Sequence, residues 1–527
     1  MRASDHLPER FNAAEWFIGR HVREGRGDRV AIVSDDATLT YAELDDGVRR
    51  FAAALRRAGV HPGDRVAFIL NDSPLLSIGF WGAIAAGAVA VPTNTLLLPR
   101  DHQKIVADCD ARVLVVDAGI APVIGPAIAP VIGPTIGRSA EGSWPGAVVW
   151  TPEEASRLVA ESSPVSAYAS THRDAFAFFL YSSGTTGEPR GVVHLQHDMW
   201  ICCETYGKSV LGMRESDRCF SIAKLFFAYG LGNAQYFPFH VGAAAILFAG
   251  RPTPEAVFAQ IARHRPTLFF GVPTAYANML AAMDGEASAS ADFSSVRACA
   301  SAGEALPGSL FERWRSRTSL EILDGIGSTE ICHIFLSNRM GACRPGSTGT
   351  AVPGYDVRLV DETGSDVPRG ELGDLLVRGD STMAMYWNKH EATKHTLRGD
   401  WIRTGDKYSQ DDDGYFFHGG RSDDMLKVGG IWVSPVEVEG VLVSHELVLE
   451  CAVVGEEDAD GLVKPRAYVI LRPGAVVPED LDVTLRAFAK ERLAPYKCPR
   501  WVEVVRELPK TATGKVQRFL LRSRART

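Results

Sequence analysis

Tyr181-Ser182-Ser183-Gly184-Thr185-Thr186-Gly187-Glu188-Pro189-Arg190-Gly191 is the stretch of this chain best equipped for chemistry. Three glycines let backbone N–H groups approach an anion closely, four Ser and Thr hydroxyls add donors, and Arg190 adds a positive charge. That composition suits phosphate. It is not a Walker A loop, because Gly, four residues, Gly-Lys-Ser/Thr is absent. An ordinary Gly/Ser/Thr turn between strands has the same composition. Other stretches end in similar residues. Arg297 to Pro307 reads as a strand, a turn at Gly303-Glu304-Ala305, and a helix. Glu321 to Glu330 has the same form, with the turn at Asp324 to Gly327. In parallel sheets, ligands bind at such carboxyl ends.

The elements that must position these loops follow from hydrophobic spacing. The apolar run Ala175 to Leu180 reads as a buried strand entering the first loop, and Val192-Val193-His194 follow it. Residues 29–33 and 65–70 read as strands. Thr40 and Glu43 form a capping box, and Leu44, Val48, Phe51 and Leu55 recur at helical spacing before Gly59. Ser73 to Pro99 carries no charge and has the length of a membrane span, but it is rich in Ala and Gly and Pro92 interrupts it. It reads as a buried helix over Leu75 to Ala86 and a strand at Ala88 to Val91. A polar helix near Asp101 to Asp108 and a strand at Arg112 to Val116 come next. Strands at Arg218 to Ala223 and Thr267 to Gly271 complete an alternation that argues a parallel α/β sheet. Residues 120–135 repeat an eight-residue unit with two prolines each, which reads as a duplicated surface loop.

From about residue 345 short strands sit between turns such as Asp411-Asp412-Asp413-Gly414, which suggests an antiparallel subdomain. That acidic run lacks the alternating ligand spacing of a calcium loop and reads as a solvated hairpin turn. Gly420 to Gly430 is polar and Gly-flanked, as a domain boundary is. The expected fold class is therefore α/β. A large N-terminal domain, 1–422, has parallel-rich sheets and an antiparallel β subdomain. A small α+β C-terminal domain spans 423–527. In the latter, Ser434-Pro435 starts a helix, and Cys451 to Val454 and Ala467 to Leu471 read as strands.

Composition excludes several classes. The chain has 527 residues, enough for more than one domain, with 46% hydrophobic and 23% charged residues, as in soluble globular proteins. A net charge of −8 argues against a nucleic-acid partner. The nine cysteines are odd in number and form no C-x-x-C pair, which suits free thiols in a reducing cytoplasm. Polar residues Asp5, Glu9 and Arg10 stand where a signal peptide needs an apolar core, so neither export nor a membrane partner is expected.

Taken together, Tyr181 to Gly191, Asp324 to Glu330, Trp401 to Asp406, Gly420 to Lys427 and Pro509 to Arg518 occur in the order and at the separations of one family. The chain resembles the adenylate-forming superfamily of acyl-CoA synthetases over nearly its whole length. Lys224 to Asn233, Asp324 to Asn338 and the opening Leu7 to Asn12 resemble benzoate–CoA ligases in particular. The resemblance implies ligation of an aromatic carboxylate to coenzyme A with ATP and Mg²⁺, through an acyl-adenylate. The partners are then small molecules, and the protein a monomer or homodimer. An alternative within the superfamily is transfer of the aryl group to a carrier-protein thiol. A non-catalytic AMP/ATP-sensing protein on the same fold is a third reading; the presence of Lys515 and Asp406 argues against it.

The resemblance also implies roles. Lys515 would bridge the carboxylate and the α-phosphate during adenylation. Thr185, Thr186 and the loop residues Ser182, Ser183, Gly184 and Gly187 would hold the outer phosphates. Arg190 stands where relatives usually carry Lys, keeping the charge with a different geometry. Glu330, beside Thr329, would help place Mg²⁺. Asp406 would accept the ribose hydroxyls, and Arg421 would support ribose or phosphate. Gly303, Glu304, Ala305 and the turn Asp324, Gly325, Ile326, Gly327 would surround adenine. Phe227, Ala228, Tyr229, Gly327, His333 and Ile334 would enclose the acid, with His333 bonding the carboxylate or a ring substituent. Asp423 matches a hinge about which the C-terminal domain rotates, exchanging Lys515 for Lys427, Gly429, Gly430 and Trp432 on the coenzyme A side.

Overall fold

Thr40 opens a helix in the manner its spacing predicts. Its side chain accepts from the amide of Glu43, and the Glu43 carboxylate returns to the Thr40 amide at 2.8 Å. The helix Tyr41–Arg57 buries Leu44, Val48, Phe51 and Leu55. Against it lies Pro74–Ala85, capped by Ser73 and apolar on every side, as a helix enclosed by protein can be. No helix among the described residues is long and apolar enough to cross a membrane. The computed structural model describes residues 1–122, 124, 147–183, 188–284, 291–421, 424–428, 431–458, 462–472, 474, 477–478, 480–510 and 516–524. Most of the 120–135 repeat lies outside them.

Two large sheets organise the N-terminal part. One has seven strands, in the spatial order Met385–Tyr386, Pro189–Leu195, Phe176–Ser183, Val89–Pro92, Arg65–Ile69, Ala111–Val116 and Val148–Trp150. Its last five strands are mutually parallel and the first two antiparallel. The second has nine strands: Thr350–Ala351, Ile334–Ser337, Ile322–Gly327, Ala298–Ser301, Leu268–Gly271, Arg218–Ser221, Ala244–Ile246, Val30–Val33 and Thr38–Thr40. The six from Ile322–Gly327 to Val30–Val33 run parallel. The parallel-rich α/β expectation holds, with antiparallel strands at the edges.

A separate antiparallel sheet is built from Asp356–Val360, Gly373–Arg378, Leu397–Arg398, Trp401–Gln410 and Phe416–Arg421. Its Asp411 turn holds Arg344, which reaches both Asp411 and Asp413, so one guanidinium offsets part of the charge of this acidic run. Beyond it, Val448–Glu457, Val463–Leu471 and Trp501–Val504 form a three-stranded sheet packed with the helix Pro435–Val443. Ser434 caps that helix through the amide of Glu437.

Two stretches read as loops or turns are strand. Tyr181, Ser182 and Ser183 pair with Gly191, Arg190 and Pro189, so the phosphate-type stretch is a β-hairpin whose tip, 184–187, lies outside the described residues. The Tyr181 hydroxyl donates to Asp108 at 2.7 Å, and its ring lies over Gly191. Likewise Asp324 to Gly327 is not a turn: Gly325, Ile326 and Gly327 pair with Ser337, Leu336 and Ile334. A Cβ on Gly327 would stand 2.6 Å from the His333 carbonyl, so glycine is what lets the two strands close here.

Candidate active site

The strand Ile322–Gly327 and the short turn Thr329–Ile331 that follows it carry residues of three predicted subsites. Its neighbour Ala298–Ser301 leads to Gly303, whose φ is +93°, and Glu304 receives a hydrogen bond from Thr274 Oγ1 at 3.0 Å. Asp324 is buried opposite Ser301, and burial raises its carboxyl well above the usual range, against weaker opposing effects of Ser301 and the Leu306 amide. Of the four residues expected around adenine on this strand, the backbone of Gly325 to Gly327 is the part at the carboxyl end.

In the turn beyond Gly327, Glu330 Oε1 accepts the Tyr386 hydroxyl at 2.8 Å, and the Glu330 carbonyl accepts from the Met383 amide at 2.7 Å. Tyr386 also lies under the Arg190 guanidinium, 5.6 Å from the ring centroid. Arg190, Tyr386 and Glu330 thus form one group, although they stand far apart in the chain. The Thr329 carbonyl accepts from His194 Nε2 at 2.7 Å.

Asp406 and Arg421 are brought together by their strands, on which they are direct partners. Arg421 Nη1 donates to Asp406 Oδ1 at 3.1 Å and to the Thr404 carbonyl at 3.2 Å. Asp406 is 8% exposed, and its carboxyl lies beside the Arg421 guanidinium near the end of the antiparallel sheet.

Of the predicted acid-enclosing residues, Tyr229, Gly327, His333 and Ile334 come together. Phe227 precedes the helix Ala228–Leu231 and packs edge-on against Phe226 at 4.7 Å. Tyr229 lies 5.6 Å from His333, which Tyr206, Tyr236 and Phe237 surround at 5.4, 6.2 and 4.5 Å between ring centroids. Ile334 is buried next to it. A Cβ on Gly232 would come within 2.4 Å of the His333 ring, so only glycine leaves room for it. The resemblance carried by Lys224 to Asn233 points to Tyr229; Tyr206 comes from another segment and Phe237 from further along the same helical stretch, and only their aromatic character is legible in the sequence.

His333 is 2% exposed, and burial, against a smaller effect of the Tyr229 carbonyl, lowers its pKa to about 3. Its Nε2 faces that carbonyl at 3.3 Å, and a carbonyl only accepts. The ring is therefore neutral with hydrogen on Nε2, and Nδ1 is an acceptor. An acceptor cannot bond a carboxylate; it suits an O–H or N–H donor.

A stability prediction follows from the sign of this shift. The unfolded chain protonates His333 near 6.5 and the folded chain only near 3, so stability is lost as pH falls through that window. Between pH 6.5 and 5 the loss from this group is roughly 2 kcal/mol at about 1.4 kcal/mol per pH unit. Denaturant unfolding of wild type and His333→Phe at the two pH values measures it. The variant is expected to show the smaller drop, and equal drops would contradict the buried neutral ring.

Several predicted site residues lie outside the described residues: Gly184, Thr185, Thr186, Gly187, Asp423, Gly429, Gly430 and Lys515. The flanks of the last are described. Lys510 and Val516 form an antiparallel bridge, the Gln517 amide donates to the Pro509 carbonyl at 2.8 Å, and Lys510 pairs with Glu450 at 2.6 Å. Arg518 bonds both oxygens of Glu439 at 2.9 Å. Lys427 lies on the strand Leu426–Val428, opposite Trp432.

Comparison with known proteins places this geometry among relatives. The family described as AMP-binding enzyme matches residues 19–387, and the AMP-binding enzyme C-terminal domain matches residues 437–515. The chain is 48% identical to the benzoate–CoA ligase of Thauera aromatica, over 98% of this chain and 97% of that protein. Among solved structures it is similar to the anthranilate CoA ligase AuaEII in complex with anthranoyl-AMP, with a TM-score of 0.93 at 41% identity, covering 100% and 99% of the two chains. A benzoate CoA ligase from Burkholderia xenovorans LB400 gives a TM-score of 0.88 at 46% identity, covering 97% and 100%.

Proposed function

The chain belongs to the family of AMP-binding enzymes, and on that premise we propose that it ligates benzoate or a small substituted benzoate to coenzyme A, forming AMP and pyrophosphate from ATP. A carboxylate is a poor electrophile, because it is negatively charged and would have to expel oxide. In the first step a benzoate oxygen bonds to the α-phosphorus and the bond to pyrophosphate breaks. In the second, the coenzyme A sulfur, as thiolate, bonds to the acyl carbon and the bond to AMP breaks. AMP is the better leaving group, which is the purpose of the adenylate.

The observation that carries this reading is the convergence of three subsites on one strand end. The backbone of Gly325 to Gly327 serves the nucleotide. Gly327 with His333, Ile334, Ala228, Tyr229 and Phe227 serves the acid, and Glu330 serves the phosphates. Small residues and flat aromatic walls suit a planar ring. The bare His333 Nδ1 favours a ring hydroxyl or amine over the carboxylate as its partner. The tip of the hairpin Phe176–Ser183 and Pro189–Leu195, with Thr185 and Thr186, is assigned to the outer phosphates, with Arg190 beside them. Asp406 accepts from the ribose, and Arg421 orients Asp406.

Mg²⁺ commonly binds through one or two carboxylates plus substrate phosphates. Glu330 fits this pattern, since Oε1 bonds Tyr386 and the carboxylate retains a second oxygen. The ion would offset negative charge on the phosphates when bound. Residues 423–527 are assigned to a mobile domain that turns about Asp423. It presents Lys515 for adenylation, and Lys427, Gly429, Gly430 and Trp432 for thioester formation. This is a hinge change with two discrete arrangements.

Pyrophosphate release from a panel of benzoates and short fatty acids, with and without coenzyme A, tests the function. Benzoate and small ring-substituted benzoates are expected to support release, with sustained turnover only when coenzyme A is present. Release with short fatty acids and not with benzoates would overturn the acid assignment.

A further inference from the structure

His194 and Asp198 have no exposed side-chain surface, and none of the roles above uses them. His194 stands on the strand Pro189–Leu195 and Asp198 opens the helix Asp198–Cys202. His194 Nδ1 lies 2.7 Å from Asp198 Oδ2, and Nε2 lies 2.7 Å from the Thr329 carbonyl. A carbonyl only accepts, so Nε2 carries a hydrogen, and Nδ1 is paired with Asp198. Asp198 is itself held in place. Its Oδ2 accepts the Leu195 amide at 3.0 Å. The His194 ring stacks on Phe178 at 4.9 Å and 21°. Stacking and two hydrogen bonds leave the ring one orientation.

The carbonyl it holds opens the turn Thr329–Ile331, which carries Glu330. That turn ends at Cys332 with φ +72°, a left-handed conformation that a non-glycine residue keeps only where surrounding contacts enforce it. The contacts on the far side are those of Glu330 with Met383 and Tyr386. His194 holds the start of the turn through Thr329, while Ser381 Oγ donates to the Ile331 carbonyl at 2.9 Å and the Tyr236 hydroxyl to the Cys332 carbonyl at 3.4 Å.

We propose that His194, oriented by Asp198, is a positioning residue for Glu330. It grips the Thr329 carbonyl and so fixes the turn that presents the carboxylate. The strand leaving the hairpin tip and the Glu330 turn are thereby coupled through one ring. This rests on the reading that Glu330 places Mg²⁺.

Two variants test it. His194→Phe keeps a ring on Phe178 and removes both nitrogens, whereas His194→Gln keeps an amide donor for Thr329. Losing such an outer partner typically weakens metal affinity or activity about 10- to 100-fold. His194→Phe is expected to raise the Mg²⁺ concentration that half-saturates adenylation by at least about 10-fold, with thioester formation from supplied benzoyl-AMP changed less than about threefold. His194→Gln is expected to recover most of the Mg²⁺ response. Thermal unfolding of each variant reports folding. An unchanged Mg²⁺ response in His194→Phe, or equal loss of both half-reactions without rescue by Gln, overturns the proposal. Glu330→Gln is the control for the premise. If it leaves the Mg²⁺ response unchanged, the metal assignment fails. The proposal is then decided by the crystal structure of His194→Phe: a displaced Thr329–Ile331 turn supports it, and a turn in place refutes it.

Discussion

Lys515→Ala is expected to abolish benzoyl-AMP formation while leaving benzoyl-AMP competent to acylate coenzyme A. The adenylation step brings an anionic oxygen to an anionic phosphate, and a cation placed at the developing charge acts where water is excluded. Removing one such stabilising donor costs about 10²- to 10³-fold in rate, and loss of a full charge is expected at or above that range. The fold should survive the change. The segment carrying Lys515 is closed by the Lys510 and Val516 bridge and tied through Arg518 to Glu439, and none of these contacts uses the lysine side chain. The two half-reactions are measured separately, as pyrophosphate release and as benzoyl-CoA made from supplied adenylate. Equal loss of both would contradict the role given to Lys515.

Asp406→Asn is the second large effect. The substitution preserves shape and removes the charge that accepts from the ribose. Hydrogen bonds to a charged group contribute about 1.5–3 kcal/mol, so kcat/KM for ATP is expected to fall about 10- to 150-fold. Wild type should prefer ATP to 2′,3′-dideoxy-ATP, and the variant should lose most of that preference. A merely structural role, such as holding Arg421 at 3.1 Å, would lower activity with both nucleotides alike. Retained discrimination in the variant would therefore contradict ribose recognition.

Much of the scaffold was legible because its signals are local. Thr40 and Glu43 are three residues apart, and their mutual capping needs no tertiary information. Ser434-Pro435 marked a helix start for the same reason. The hairpin runs further than its composition suggests because Tyr181, Ser182 and Ser183 pair with Gly191, Arg190 and Pro189, a register that Gly, Ser and Thr content does not reveal. Asp324 to Gly327 looked like a turn from its glycines, yet pairing with Ile334–Ser337 makes it strand. The site shows the same division. Gly327, Tyr229 and His333 were found from their neighbours in sequence, but Tyr386 reaches Glu330 across 56 residues and His194 reaches Thr329 across 135. The four-residue spacing of His194 and Asp198 was the one local hint, and it is also the spacing of any ordinary helix-end contact. The neutral state of His333 was not legible at all, since it follows from enclosure by Tyr206 and by three rings of the helical stretch from Ala228 to Val241, none of them near His333 in the chain.

The mixed anhydride is the centre of this account, and oxygen labelling reads it directly. Benzoate carrying ¹⁸O in its carboxylate is incubated with the protein, ATP, Mg²⁺ and coenzyme A, and the AMP is analysed by mass spectrometry. Acyl transfer breaks the bond between the acyl carbon and the bridging oxygen, so each AMP is expected to carry one ¹⁸O from the acid. Unlabelled AMP accompanying benzoyl-CoA, or label appearing in pyrophosphate, would contradict it.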